Sequence, residues 1–317
     1  MKQGATEAPA GTAPADTRRT AALGVVYGLA AYTTWGFAPV FWNAIAGLPA
    51  GEVVAQRILW SVPLLVVFVL AGRRWREVGR ALANWRTLLP LLASAVLMVA
   101  NWAIFIVAVQ LDRVIEISLG YFINPLVSVL LGVVFIAERL RRWQILAVVL
   151  AALGVVNLAI SVGSLPWFAL GVAFTFGFYG LVRKLVATEP LAGLAVEMAI
   201  FLPIALGYFG YVLVAGQGIG TLAMDVWGIV LVLCTGLMTV IPLLWFIAGS
   251  RRMRYSTMGI IQYLAPSVQF VLALFYFGEP FTRAQAITFA CIWAGLAIYS
   301  FDSMRAYRRE NLPTPGV

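Results

Sequence analysis

The sequence contains no histidine. That excludes imidazole as a general base, as the partner of a nucleophile and as a metal ligand, and with it the H-E-x-x-H zinc site. Cysteine is almost as scarce: Cys234 and Cys291 each lie inside an apolar run, with neither a disulfide framework nor a metal spacing. There is no G-x-S-x-G elbow, and the glycine-rich loop at Gly216, Gly218 and Gly220 has no following P-loop lysine. No cofactor, no metal and no catalytic residue are therefore expected, and an intramembrane enzyme is disfavoured for want of a nucleophile–base pair. Charge is the last shortage. With 11% charged and 62% hydrophobic residues in 317, most of this chain has lipid as its solvent. The basic excess, 22 Lys and Arg against 13 Asp and Glu, could suggest nucleic acid. The basic residues sit in short gaps between apolar runs, however, which is a membrane-topology signal instead.

What is present is a duplication. Residues 116–144, EISLGYFINPLVSVLLGVVFIAERLRRWQ, return as TMGIIQYLAPSVQFVLALFYFGEPFTRAQ at 257–285, a shift of 141. The shift matches Pro125 with Pro266, Glu138 with Glu279, Arg142 with Arg283, Gln144 with Gln285 and Gly154 with Gly295. Phe105 meets Phe246 and Arg113 meets Arg254. Two unrelated apolar runs could share scattered Val and Leu, but not these.

At about 20 residues per crossing, ten spans follow: roughly 23–45, 51–71, 87–110, 115–137, 143–161, 166–185, 191–214, 227–249, 256–277 and 285–302. Of the 22 basic residues, 19 fall on one side of this threading, leaving Arg113 and Arg283 in the opposite loops and Arg57 within a span. By the positive-inside rule both termini are cytoplasmic. Five spans per half is an odd number, so the second half enters the membrane upside down. The expected fold is an all-α polytopic bundle of two inverted five-helix repeats, the architecture of many secondary transporters, with the binding site between the halves. Residues 1–20 read as a disordered N-terminus, 21–161 and 162–303 as the repeats, and 304–317 as a cytoplasmic tail.

Ionisable and polar residues within spans are the candidates for function. Arg57 and Glu197 each precede a proline by six residues (Pro63, Pro203) and carry opposite charges at matching depths of the inverted halves. Glu116 is the expected partner of Arg57, and Arg183 or Lys184 that of Glu197, as gates or as structural ion pairs. Pro125 and Pro266 are expected to kink their helices, each freeing a carbonyl four residues earlier, on Tyr121 and Gln262. Asn124 stands on a stripe with Glu116, Gly120 and Ser128; Gln262 and Gln269 share another with Gly259. Such stripes pack against a helix or line a path, and Tyr121, Asn124, Gln262 and Gln269 are taken as path-lining. Glu138 and Glu279 are read as capping carboxylates, and Gly24 with Gly28 as a helix-packing face.

YTTWGFAPVFW (32–42), VVAQRILWS (53–61), NWAIFIVAV (101–109), GYFINPL (120–126), FYGLVRK (178–184) and QYLAPSVQFVLALFYFGE (262–279) resemble the RarD subfamily of EamA-type drug/metabolite transporters. The resemblance covers residues 22 to 302 and implies ten helices, two inverted EamA domains and a bacterial inner-membrane permease, in a subfamily labelled by chloramphenicol sensitivity or resistance. One departure is Ala137-Glu138-Arg139, where the Gly-Glu pattern kept at Gly278-Glu279 is missing. The expected function is transport, outward, of a small organic molecule (drug, metabolite or amino-acid-like) by alternating access. A facilitative uniporter and a non-transporting scaffold or sensor are the alternatives. Proton coupling through Glu116 or Glu197 and the oligomeric state stay open.

Overall fold

A computed structural model describes residues 14–111, 114–162, 167–216, 218–276, 278 and 282–310. Among these residues every regular element is helical: α1 (Pro14–Asn43), α2 (Ala50–Ala71), α3 (Trp75–Ala83), α4 (Trp85–Gln110), α5 (Val114–Ile136), α6 (Arg142–Val162), α7 (Trp167–Leu185), α8 (Pro190–Val214), a 3-10 turn (Gly220–Ala223), α9 (Val226–Arg252), α10 (Tyr255–Ile261), α11 (Leu264–Phe275) and α12 (Arg283–Glu310). Nine of the helices are long and apolar enough to cross a membrane. The ninth crossing is shared by α10 and α11, which part at Gln262 and Tyr263. Pro266 is the cause. It has no N–H to give the Gln262 carbonyl, which instead takes the Ala265 N–H at 3.2 Å in a tighter turn. Its counterpart Pro125 leaves α5 unbroken.

Three limits differ from the sequence reading. α1 begins at Pro14, so residues 14–20 are helical rather than disordered; residues 1–13 lie outside the described residues. α12 runs to Glu310 instead of ending at 302. The arginine-rich stretch expected to be a plain loop holds α3, whose Trp75 and Leu82 are exposed while Ala81 packs against Leu91, Val186 and Val196. Arg76 lies over the Trp75 ring at 5.1 Å. A short helix with apolar, aromatic and cationic sides suits the headgroup layer.

The packing has two-fold character. α2 packs on α8, α5 on α10 and α6 on α12, each helix against its own counterpart, and the α1–α9 contact is mirrored by α7–α4. Glycines show it at atomic scale. A Cβ on Gly154 would lie 2.9 Å from the Thr288 carbonyl oxygen, and one on Gly295 would lie 2.6 Å from that of Ala147, the same contact moved by the repeat shift. Gly24 and Gly28 do form a packing face: a Cβ on Gly249 of α9 would lie 3.0 Å from the Gly24 oxygen and 3.2 Å from the Gly28 nitrogen.

Counterparts run in opposite directions, and two carboxylates at opposite ends of the bundle show it. Glu52, at the start of α2, accepts from the Gly220 and Thr221 N–H groups (2.9 and 2.8 Å) after the end of α8. Glu138, beyond the end of α5, accepts from the Tyr255 and Ser256 N–H groups (2.6 and 2.9 Å) at the start of α10. Glu138 is thus the expected cap, but of a helix in the other half; Glu279 lies outside the described residues. The repeated glutamines also find a use. Gln144 accepts from the Arg141 N–H at 3.0 Å and Gln285 from the Thr282 N–H at 2.9 Å, each reaching back over the first turn of its helix.

Candidate functional site

At the end of the bundle that carries the basic loops, charged side chains are spent on closing it. Lys184, at the end of α7, donates to the Ser250 and Met253 carbonyls, both at 2.6 Å. Arg251 donates to the Thr188 carbonyl, and Arg254 to that of Arg139 at 2.5 Å, with Glu138 3.7 Å from its Nε. Lys184 thus goes to the end of α9, and Arg183 is the residue that reaches Glu197.

The Arg183 Nε and Glu197 Oε1 are 3.5 Å apart, with side-chain exposures of 0% and 1%. Ser94 of α4 donates to the same carboxylate, Tyr179 of α7 reaches its other oxygen at 3.4 Å, and Arg183 Nη2 donates to the Pro190 carbonyl at 3.2 Å. Arg183 Nε and Nη1 make no well-formed hydrogen bond, the Glu197 contact included. A buried pair with incomplete bonding is poor cement, since desolvation offsets much of its attraction. The position suits a contact that can exchange partners.

Beside Tyr179 lies an aromatic core drawn from both halves. Trp35 of α1 meets Phe176 of α7 at 5.9 Å, and these two are counterparts under the repeat shift, so they lie on the pseudo-two-fold axis. Phe246 of α9 touches Trp35, Phe176, Tyr179 and Tyr32 at 5.9, 5.3, 6.3 and 6.2 Å. Gln269 donates to the Trp35 carbonyl at 3.1 Å, tying α11 to this core.

Arg57 sits toward the opposite end. Its guanidinium carbon is 5.0 Å from the ring centroids of both Trp42 and Trp102, and its Nε donates to Thr239 Oγ1 at 3.0 Å. Tyr121 is 40% exposed. The expected partner, Glu116, has a side chain outside the described residues, and no carboxylate among the described residues forms an ion pair with Arg57.

The polar stripes behave differently from an open wall. Ser128 of α5 accepts from Gln262 Nε2 at 2.8 Å, and a Cβ on Gly259 would stand 2.8 Å from the Pro125 carbonyl, so both stripes meet at a helix crossing. Gly120 packs on Ala169 of α7. Asn124 Oδ1 and Gln262 Oε1 are buried there without a donor.

Sequence reasoning missed Trp42, Trp102 and Thr239 around Arg57, and Ser94 and Tyr179 around Glu197. The signal for Trp102 was its depth within a span, where an indole needs packing or a lumen. Thr239 and Ser94 gave none, because a lone hydroxyl in an apolar helix usually bonds its own backbone.

Residues 22–160 match the model of the EamA-like transporter family. An uncharacterized transporter of Vibrio cholerae is 40% identical over 290 residues, covering 91% of this chain and 95% of that one. Protein RarD of Salmonella typhimurium is 43% identical over 288 residues, covering 90% and 97%. The chain belongs to the RarD group of EamA-type transporters. A solved crystal structure, described simply as that of a protein, superposes with a TM-score of 0.67 at 18% identity over 89% of this chain and 98% of its own. At that identity it speaks for the fold alone. This chain is a multi-pass membrane protein.

Proposed function

We propose that this RarD-group protein is a secondary transporter that moves a small organic molecule through a cleft between repeats 21–161 and 162–303 by alternating access. The observation that carries the reading is the order of sites through the bundle. A half-buried Arg57 lies on one side of the aromatic core on the pseudo-two-fold axis, and a sealed Arg183–Glu197 pair lies on the other. Inverted repeats put a substrate site between such gates. The basic loops argue for a bacterial inner-membrane location with both termini cytoplasmic. The sealed end then faces the cytoplasm, and the direction proposed is export. Glu197 is the proton-coupling candidate, because neutralising it frees Arg183. A facilitative uniporter is the second reading, favoured by how well that carboxylate is already bonded.

The test is uptake and efflux in proteoliposomes over a panel of amino acids and amphipathic drugs, with and without a pH gradient. Flux accelerated by the gradient, and no longer accelerated in Glu197→Gln, is expected. Flux indifferent to the gradient favours the uniporter, and no flux for any compound refutes transport. Cytoplasmic labelling of tags at both ends checks the threading.

A further inference from the structure

We infer that Arg57 forms a subsite for the carboxylate of a substrate whose remaining body is apolar or aromatic. This rests on the transporter reading for its place in the path, and it names the class of molecule carried.

The guanidinium has two indole contacts and one hydrogen-bonded edge. Its carbon lies 5.0 Å over the ring centroids of both Trp42 of α1 and Trp102 of α4, so two indole faces hold the charge in place. Thr239 donates its own hydroxyl proton to the Thr235 carbonyl at 2.8 Å, so toward Arg57 Nε it can act as acceptor and nothing else. The edge formed by Nη1 and Nη2 has no acceptor among the described residues. Arg57 as a whole is half-buried.

The other cations of this protein supply the contrast. Lys184, Arg251 and Arg254 spend their donors on backbone carbonyls, which is how a structural cation settles among helices. Arg57 does not, although a cation within a span costs a few kcal/mol. A cation held by two indoles and one hydroxyl with its fork unbonded suits a planar anion, and a carboxylate meets that fork through two parallel hydrogen bonds. The surroundings select the body. Trp102 continues to Phe201 at 5.7 Å, and Trp35, Phe176 and Phe246 form the aromatic core at the pseudo-two-fold axis. Among the described residues no second cation joins Arg57, so a monoanion fits and a dianion does not.

The test measures binding to the full-length protein in detergent by ligand-induced thermal shift, using matched pairs: phenylacetate against phenylacetamide, and indole-3-acetate against indole-3-acetamide. Each pair keeps the body and removes the charge. The acids are expected to raise the melting temperature, with the amides at least about tenfold weaker, the size of a lost charge-assisted hydrogen bond. Arg57→Gln is expected to erase the difference and Arg57→Lys to restore part of it. Thr239→Val, which frees Nε but keeps the charge, is expected to weaken the acids and leave the amides unchanged, and it serves if Arg57→Gln proves unstable. Amides binding as well as acids, acid preference surviving in Arg57→Gln, or no shift with any of the four overturns the subsite. Transport itself is judged by the wider proteoliposome panel, so the subsite can fail while that reading stands.

Discussion

Gly193→Ala tests whether the sealed charge pair is as tightly enclosed as it looks. Gly193 lies in the first turn of α8, and a Cβ there would stand 2.7 Å from Arg183 Nη2 and 2.9 Å from Cζ, with Nη1 closer still. The end of an arginine is normally able to swing aside, and then the substitution would be harmless. Here the side chain is 0% exposed, held by Glu197 on one side and by the Pro190 carbonyl on the other. Overpacking a filled site costs about 1–3 kcal/mol, and displacing one member of a buried ion pair costs about 3–5. Partial relaxation puts the expected loss at about 2–4 kcal/mol. Gly207→Ala and Gly210→Ala are the controls. They lie on the same helix, where an added methyl would meet nothing within 4 Å, and gain about 0.5–1 kcal/mol from reduced chain entropy. Melting curves in detergent should therefore rank Gly193→Ala well below wild type and both controls at or above it. In an Arg183→Met/Glu197→Gln background the guanidinium is gone and the same change should cost little. A Gly193→Ala protein that melts with its controls would show that Arg183 is free to move, and the enclosure argument would fail.

Arg183→Met alone leaves Glu197 buried without its cation and should lower stability by about 3–5 kcal/mol; adding Glu197→Gln should recover most of it, measured by the same melts. Glu138→Ala removes the acceptor for two backbone N–H groups at the start of α10 and should cost about 1–3 kcal/mol, with faster hydrogen exchange at Tyr255 and Ser256. Gly154→Val and Gly295→Val press on backbone oxygens of the facing helix, so each should destabilise by about 1–3 kcal/mol and by similar amounts. A large difference between them in thermal melts would contradict the two-fold packing of α6 on α12.

Much of this architecture was legible because duplication prints itself on a sequence. A shared proline, carboxylate and glutamine at one shift gave the halves, and the proline rule located the freed carbonyl at Gln262 where the helix breaks. It could not say that Pro125 would leave its own helix whole, since that outcome depends on neighbours on all sides. Glu138 was readable as a cap but its target was not, because the donors are 117 residues away along the chain. α3 was hidden by its charge: a span search discards a short arginine-rich segment, although its alternation of Trp, Val and Leu with Arg is that of an interfacial helix. Arg57 was conspicuous as an intramembrane cation. Its cage was not, since Trp42, Trp102 and Thr239 come from three other helices.

The two capping carboxylates bear on what a half of this protein could be by itself. Glu52 and Glu138 both belong to the first repeat, and both complete hydrogen bonding that the second repeat leaves open, one at each end of the bundle. A second repeat made alone would carry uncovered amides at both rims. Gene fragments encoding either repeat should thus yield durable protein when produced together, and the later fragment should be the orphan that the cell degrades first.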